Sequence, residues 1–142
     1  MNAFLRPASR SALVLLALAG LGASIAQYDP NVASAELVLT RCWSYAIAIG
    51  LAVAARLAPS PRIGGGFALL SGAALLFATA AALVQVAVSS GMDESIGFTG
   101  YNAAFSLLLA VLALGDGLAK IVLPQRNAAP ASVRFMAQTA RP

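Results

Sequence analysis

The chain has 142 residues, 60% of them apolar and 10% charged, with a mean hydropathy of +0.83. Soluble domains carry about a quarter charged residues, so this composition excludes an ordinary soluble domain and fits one membrane-embedded unit. Histidine is absent and Cys42 is the single cysteine. His-ligated haem, Cys-rich metal sites, an internal disulfide and Ser-His or Cys-His catalytic pairs are therefore ruled out.

The net charge of +4 comes from nine basic and five acidic residues. The basic residues are scattered singly between apolar runs, with no basic stretch and no aromatic interleaving, so no nucleic-acid partner is expected. Eight of the nine are arginine and alanine is abundant, a compositional hint of a GC-rich bacterial genome.

A helix needs about 20 mainly apolar residues to cross a hydrocarbon core of about 30 Å. Four stretches qualify: 11–28, 37–58, 66–88 and 101–123. The first is short. The second holds Arg41 near its start and Arg56 near its end. The third is the clearest, with no charge between Arg62 and Asp93, and the fourth is apolar until Asp116. The connections are brief and turn-forming. Residues 59–65 read PSPRIGG, a proline stop followed by glycines that free the chain. Short connections make successive helices antiparallel neighbours. The expected fold is thus an all-α membrane protein, a four-transmembrane-helix antiparallel bundle over 1–123. Residues 124–142, rich in Pro, Ala and polar residues, are expected to form a disordered cytoplasmic tail.

Positive charge sets orientation. Arg6, Arg10, Arg56, Arg62, Lys120, Arg126, Arg134 and Arg141 all fall on one side of this arrangement, and Asp29, Glu36, Asp93 and Glu94 on the other. Both ends of the chain are therefore expected in the cytoplasm, in a bacterial inner membrane. Tyr28, Trp43, Tyr45, Phe98 and Tyr101 fall near the outer ends, where amphipathic rings favour the interface. A rival exists for the first span: Arg6 and Arg10, the apolar run 12–22 and Ser24-Ile25-Ala26 resemble the parts of a signal peptide. Cleavage after residue 26 leaves three helices. A small-residue stripe, Ala17, Gly20, Ser24 and Gln27, favours retention.

Leucine gains little by leaving lipid, so small residues that permit close backbone approach direct helix association. Such stripes occur in the other spans: Ser71, Ala74, Ala78, Ala81 and Gln85; Ser44, Ala48, Ala52 and Ala55, with Ala46, Gly50 and Ala54 beside them; and Asn102, Ser106, Ala113, Asp116 and Lys120. Ionisable groups within a span are costly and mark candidate sites. Asp116 lies about 10 Å inside the inner boundary, between Gly115 and Gly117, which leave room beside the carboxylate. Lys120 follows at i+4, and Arg56 is within reach. The group is either an ion or proton site or an ion pair locking spans two and four. Arg41, about 6 Å deep, either grips an anion or snorkels outward to Glu36 and the acidic loops. Gln85 shares its depth. Ser44, Tyr45, Asn102 and Ser106 form either an outward-facing polar pocket or a set of interhelical hydrogen bonds.

No nucleophile–base pair or metal cluster is visible, so an enzyme is not expected, and no cofactor is evident. The glutamate-rich helix of small drug exporters, the paired cysteines of mercury carriers and the histidines of b-type cytochromes are absent. The sequence fits an accessory or structural subunit, or assembly partner, of a larger membrane complex. Its expected partners are the lipid bilayer and other membrane subunits or further copies of itself. The alternative is a small oligomeric ion or solute transporter or channel that uses Asp116.

Overall fold

A computed structural model describes residues 5–28, 35–89 and 95–123. These form four α-helices in chain order: α1 (Leu5–Ala26), α2 (Ala35–Leu57), α3 (Pro61–Ser89) and α4 (Ser95–Val122). Three helical segments are long and apolar enough to cross a membrane: Ala35–Leu57, Pro61–Val88 and Phe98–Val122. The apolar part of α1 is shorter, Ser11–Ala26. The expected tail over 124–142 and the acidic residues Asp29, Asp93 and Glu94 lie outside the described residues.

The third helix begins five residues before the expected span. Residues 61–65 are helix, not loop. Ser60 caps the helix: its Oγ accepts from the Ile63 amide at 3.3 Å, and its carbonyl accepts from the Gly64 amide at 3.0 Å. Pro61 then sits at the first helical position, where a missing amide proton costs nothing. Gly64 and Gly65, which follow, serve close packing rather than chain freedom. A Cβ on Gly64 would lie 2.7 Å from the Ala55 carbonyl oxygen, and one on Gly65 2.9 Å from that of Gly117. At the end of α1, the Gln27 and Tyr28 amides reach back to the Ser24 and Ile25 carbonyls, a tightened last turn.

The helices form a ring. α1 packs against α2 and α4, α2 against α3, and α3 against α4, the last pair most extensively. Neighbours run antiparallel, as contact positions show. Gly65, Gly72 and Thr79 of α3 meet Gly117, Ala110 and Ser106 of α4 in descending order. Gly20 meets Tyr45, and Gln27 meets Arg41. The centre is built from Ala17, Tyr45, Ala48, Leu75, Ala78, Leu109, Ala110 and Ala113, all buried. Large apolar side chains face outward instead, among them Trp43, Phe77, Leu108 and Val111, as expected where lipid is the solvent.

The small-residue stripes largely point inward. Ala17, Gly20 and Ser24 are buried, as are Ser44, Ala48, Ser71, Ala78, Ala81, Asn102, Ser106 and Ala113. The neighbouring run Ala46, Gly50 and Ala54 does not join them: Ala46 and Gly50 are exposed, and a Cβ on Gly50 would meet nothing within 4 Å. The stripe headed by Ser44 already occupies the packed face of α2, and residues two positions away fall on another side of the helix.

Candidate functional site

Two groups of polar side chains lie at opposite ends of the ring. The first is near the end where α1 finishes and α2 begins. Tyr45 is wholly buried, and its hydroxyl donates to Asn102 Oδ1 at 3.1 Å. The Asn102 amide donates onward to Ser24 Oγ at 3.4 Å, and Ser24 Oγ donates to the Gly20 carbonyl at 2.9 Å. Thr79 and Ser106 share a bond of 2.9 Å between α3 and α4. Closer to the other end, Ser71 reaches from α3 to the Ala48 carbonyl of α2 at 2.8 Å and lines the cavity there. Ser24, Asn102, Thr79, Ser106 and Ser71 are all buried.

Of the four residues expected to make an outer polar pocket, Tyr45 and Asn102 bond directly. Ser106 pairs with Thr79, and Ser44 turns back to its own helix, donating to the Thr40 carbonyl at 2.8 Å. These side chains fill the space with interhelical and back-bonded contacts. Tyr45 is no interfacial ring: it packs against Gly20, where a Cβ would stand 2.7 Å from the ring. The exposed aromatic residues here are Tyr28, Trp43, Phe98 and Tyr101.

Arg41 departs from expectation. It does not snorkel: it is 0% exposed, facing α1, where Nη2 donates to Gln27 Oε1 at 2.6 Å. Its Nε and Nη1 are buried without a hydrogen-bond partner, as is Oε1 of the half-buried Gln85. Glu36, the expected partner, is exposed at the start of α2. The reason is angular. Arg41 shares a helix face with buried Val38, Tyr45 and Ala48, so its stem is directed into the ring.

The second group lies at the opposite end. Lys120 Nζ and Asp116 Oδ2 form an i,i+4 ion pair at 2.5 Å, with Lys120 13% and Asp116 35% exposed. Both line a cavity of about 300 Å³ that all four helices enclose. Its walls are apolar, from Leu13, Leu16, Ala52, Ala68 and Leu112, and Arg56 lies on its rim. Arg56 and Asp116 thus share one cavity, while the carboxylate pairs with Lys120 on its own helix. The glycines flanking Asp116 have different roles. A Cβ on Gly115 would meet nothing within 4 Å, whereas one on Gly117 would stand 2.9 Å from Leu69 and 3.0 Å from the Gly65 carbonyl. Gly117 therefore makes room for α3, not for the carboxylate. A shallower groove of about 470 Å³ runs between α1 and α4, lined by Gly20, Ala23, Phe98, Tyr101 and Phe105.

Sequence reasoning missed Thr79 and the role of Gln27. Ser71, Leu75 and Thr79 recur every four residues on one face, a spacing that marks Thr79 as inward. The Gln27–Arg41 contact crosses a connection between two helices and has no sequence signature. Among the described residues, no group of three His, Cys, Asp or Glu side chains could hold a metal ion. No protein-family model, curated protein or solved structure matches this chain.

Proposed function

We propose that all four helices cross a bacterial inner membrane and that the chain serves as an accessory or structural subunit of a larger membrane assembly. The apolar part of α1, Ser11–Ala26, is about 24 Å long at 1.5 Å per residue, shorter than a hydrocarbon core of about 30 Å; its packing against both α2 and α4 supports its crossing with them. In the sequence, all basic residues but Arg41 fall on the Arg56–Lys120 side of the four spans and all acidic residues but Asp116 on the other, so the positive-inside rule favours a cytoplasmic start of α1 and end of α4.

The observation that carries the structural reading is the closed centre. Tyr45, Leu75, Leu109 and Ala110 are each 0% exposed, so side chains fill the middle of the ring. The buried side chains of Ser24, Tyr45, Ser71, Thr79, Asn102 and Ser106 bond to one another or to backbone carbonyls, which favours rigidity over transport. A second reading, an oligomeric transporter, draws on Asp116, a partly exposed carboxylate on the wall of a cavity. Purification of a tagged copy from its own host in mild detergent separates the two. Stoichiometric recovery with larger membrane subunits supports the structural reading. A lone homo-oligomer that conducts ions until Asp116→Asn is introduced overturns it.

A further inference from the structure

We infer that the cavity at the basic end is a lipid site, holding one acyl chain of an anionic phospholipid with its phosphate at Arg56 and Lys120. The inference rests on the membrane-spanning reading above. Three observations meet at this place. The cavity is about 300 Å³, at the lower end of the range for organic ligands, which suits one chain rather than a bulky ring system. Apart from the charged groups, its walls are Leu and Ala side chains from four helices and Ser71, whose hydroxyl is already spent on the Ala48 carbonyl.

The charged groups are confined to one end. Arg56 stands in the last turn of α2 and Lys120 in the last turn of α4, and Asp116 offsets one of the two positive charges. One net positive charge remains, matching the single negative charge of a phosphatidylglycerol head. Basic pockets between spans on the cytoplasmic side suit such heads. The weakest packing in the ring is that of α1, and Leu13 and Leu16 of α1 form one wall of the cavity. A chain therefore enters from the leaflet past α1 without parting α3 from α4.

The test uses the full chain in detergent, delipidated and then offered phosphatidylglycerol, phosphatidylcholine or inorganic phosphate, with bound lipid counted by native mass spectrometry. One phosphatidylglycerol per chain is expected, held more tightly than phosphatidylcholine, and phosphate alone is not expected to displace it. Arg56→Gln, at an exposed position, should weaken retention about fivefold. Arg62→Gln, outside the cavity, should leave it unchanged. Ala52→Phe should abolish retention by filling the cavity, with helicity and thermal unfolding measured alongside. Equal retention of both lipids, displacement by phosphate alone, or full retention by a folded Ala52→Phe chain would overturn the inference. An alkaline wash of the membranes separates its failure from that of the parent reading: release of the chain defeats both, whereas firm association with non-selective lipid binding defeats this inference alone.

Discussion

Tyr45 and Asn102, 57 residues apart in the chain, are joined by a hydrogen bond of 3.1 Å across a diagonal of the ring where the backbones of α2 and α4 do not meet. With Asn102 also bonded to Ser24, one amide ties three helices together. Interhelical hydrogen bonds in membranes average about 0.6 kcal/mol, with a maximum near 1.7. Tyr45→Phe should therefore lower stability by about 1 kcal/mol in a mixed-micelle unfolding titration. Tyr45→Ala, which also empties the space beside Gly20, should cost about 3–5 kcal/mol. Equal effects of the two would show that the hydroxyl matters and the ring does not.

The glycines sort into two sets by what a methyl group would meet. Gly65 and Gly117 lie where α3 and α4 approach closely, with backbone oxygens 2.9 and 3.0 Å from the added carbon. Gly66 and Gly115 have nothing within 4 Å. Alanine at either of the first pair should destabilise the α3–α4 contact by about 1–3 kcal/mol through overpacking. Alanine at Gly66 or Gly115 should be neutral or stabilising by up to about 1 kcal/mol, from helix propensity. The same unfolding titration ranks all four.

Arg41 is the costliest feature of the interior, because it is fully buried with one hydrogen-bonded nitrogen of three. Replacing a poorly compensated buried charge with an apolar side chain of similar length is commonly stabilising. Arg41→Met should accordingly raise the thermal midpoint in detergent. Gln27→Leu should lower it, because it removes the acceptor and strands the charge at a cost of about 1.5–3 kcal/mol. A fall in stability for both variants would mean that Arg41 is satisfied within the protein.

Much of the architecture is legible in hydropathy alone. The long apolar runs give the helices, and small residues at helical spacing give the inward faces of Ala17, Ala48, Ala78 and Ala113. The start of α3 was hidden because proline and three glycines resemble a loop, while the Ser60 cap that makes them helical is a matter of local geometry. The path of Arg41 was hidden for a different reason. Snorkelling and burial differ by rotation about one helix axis, and only the position of α1 decides between them. The cavity at the other end depends on the loose seating of α1, which no periodicity encodes.

Asp116 distinguishes a structural role from a transport role. Its pair with Lys120 lies at i,i+4 and is partly solvated, so its contribution is small, about 0.5 kcal/mol. Asp116→Asn should lower stability by less than about 1 kcal/mol and leave co-purification with partner subunits intact. Loss of an ion flux measured in proteoliposomes, with assembly unchanged, would favour the transporter reading instead.

The most direct test of the central claim is the sidedness of the helix ends. In a Cys42→Ser background, single cysteines are introduced as Ser9→Cys, Asn31→Cys, Pro59→Cys, Gly91→Cys and Asn127→Cys, and intact bacterial cells are treated with a membrane-impermeant maleimide. A four-span bundle with its basic end in the cytoplasm predicts labelling at 31 and 91. It predicts protection at 9, 59 and 127 until the cells are lysed. Labelling at 59 and 127 in intact cells would reverse the orientation. Labelling at 31 with no recoverable signal from Ser9→Cys after lysis would show that α1 has been removed and that three helices span the membrane.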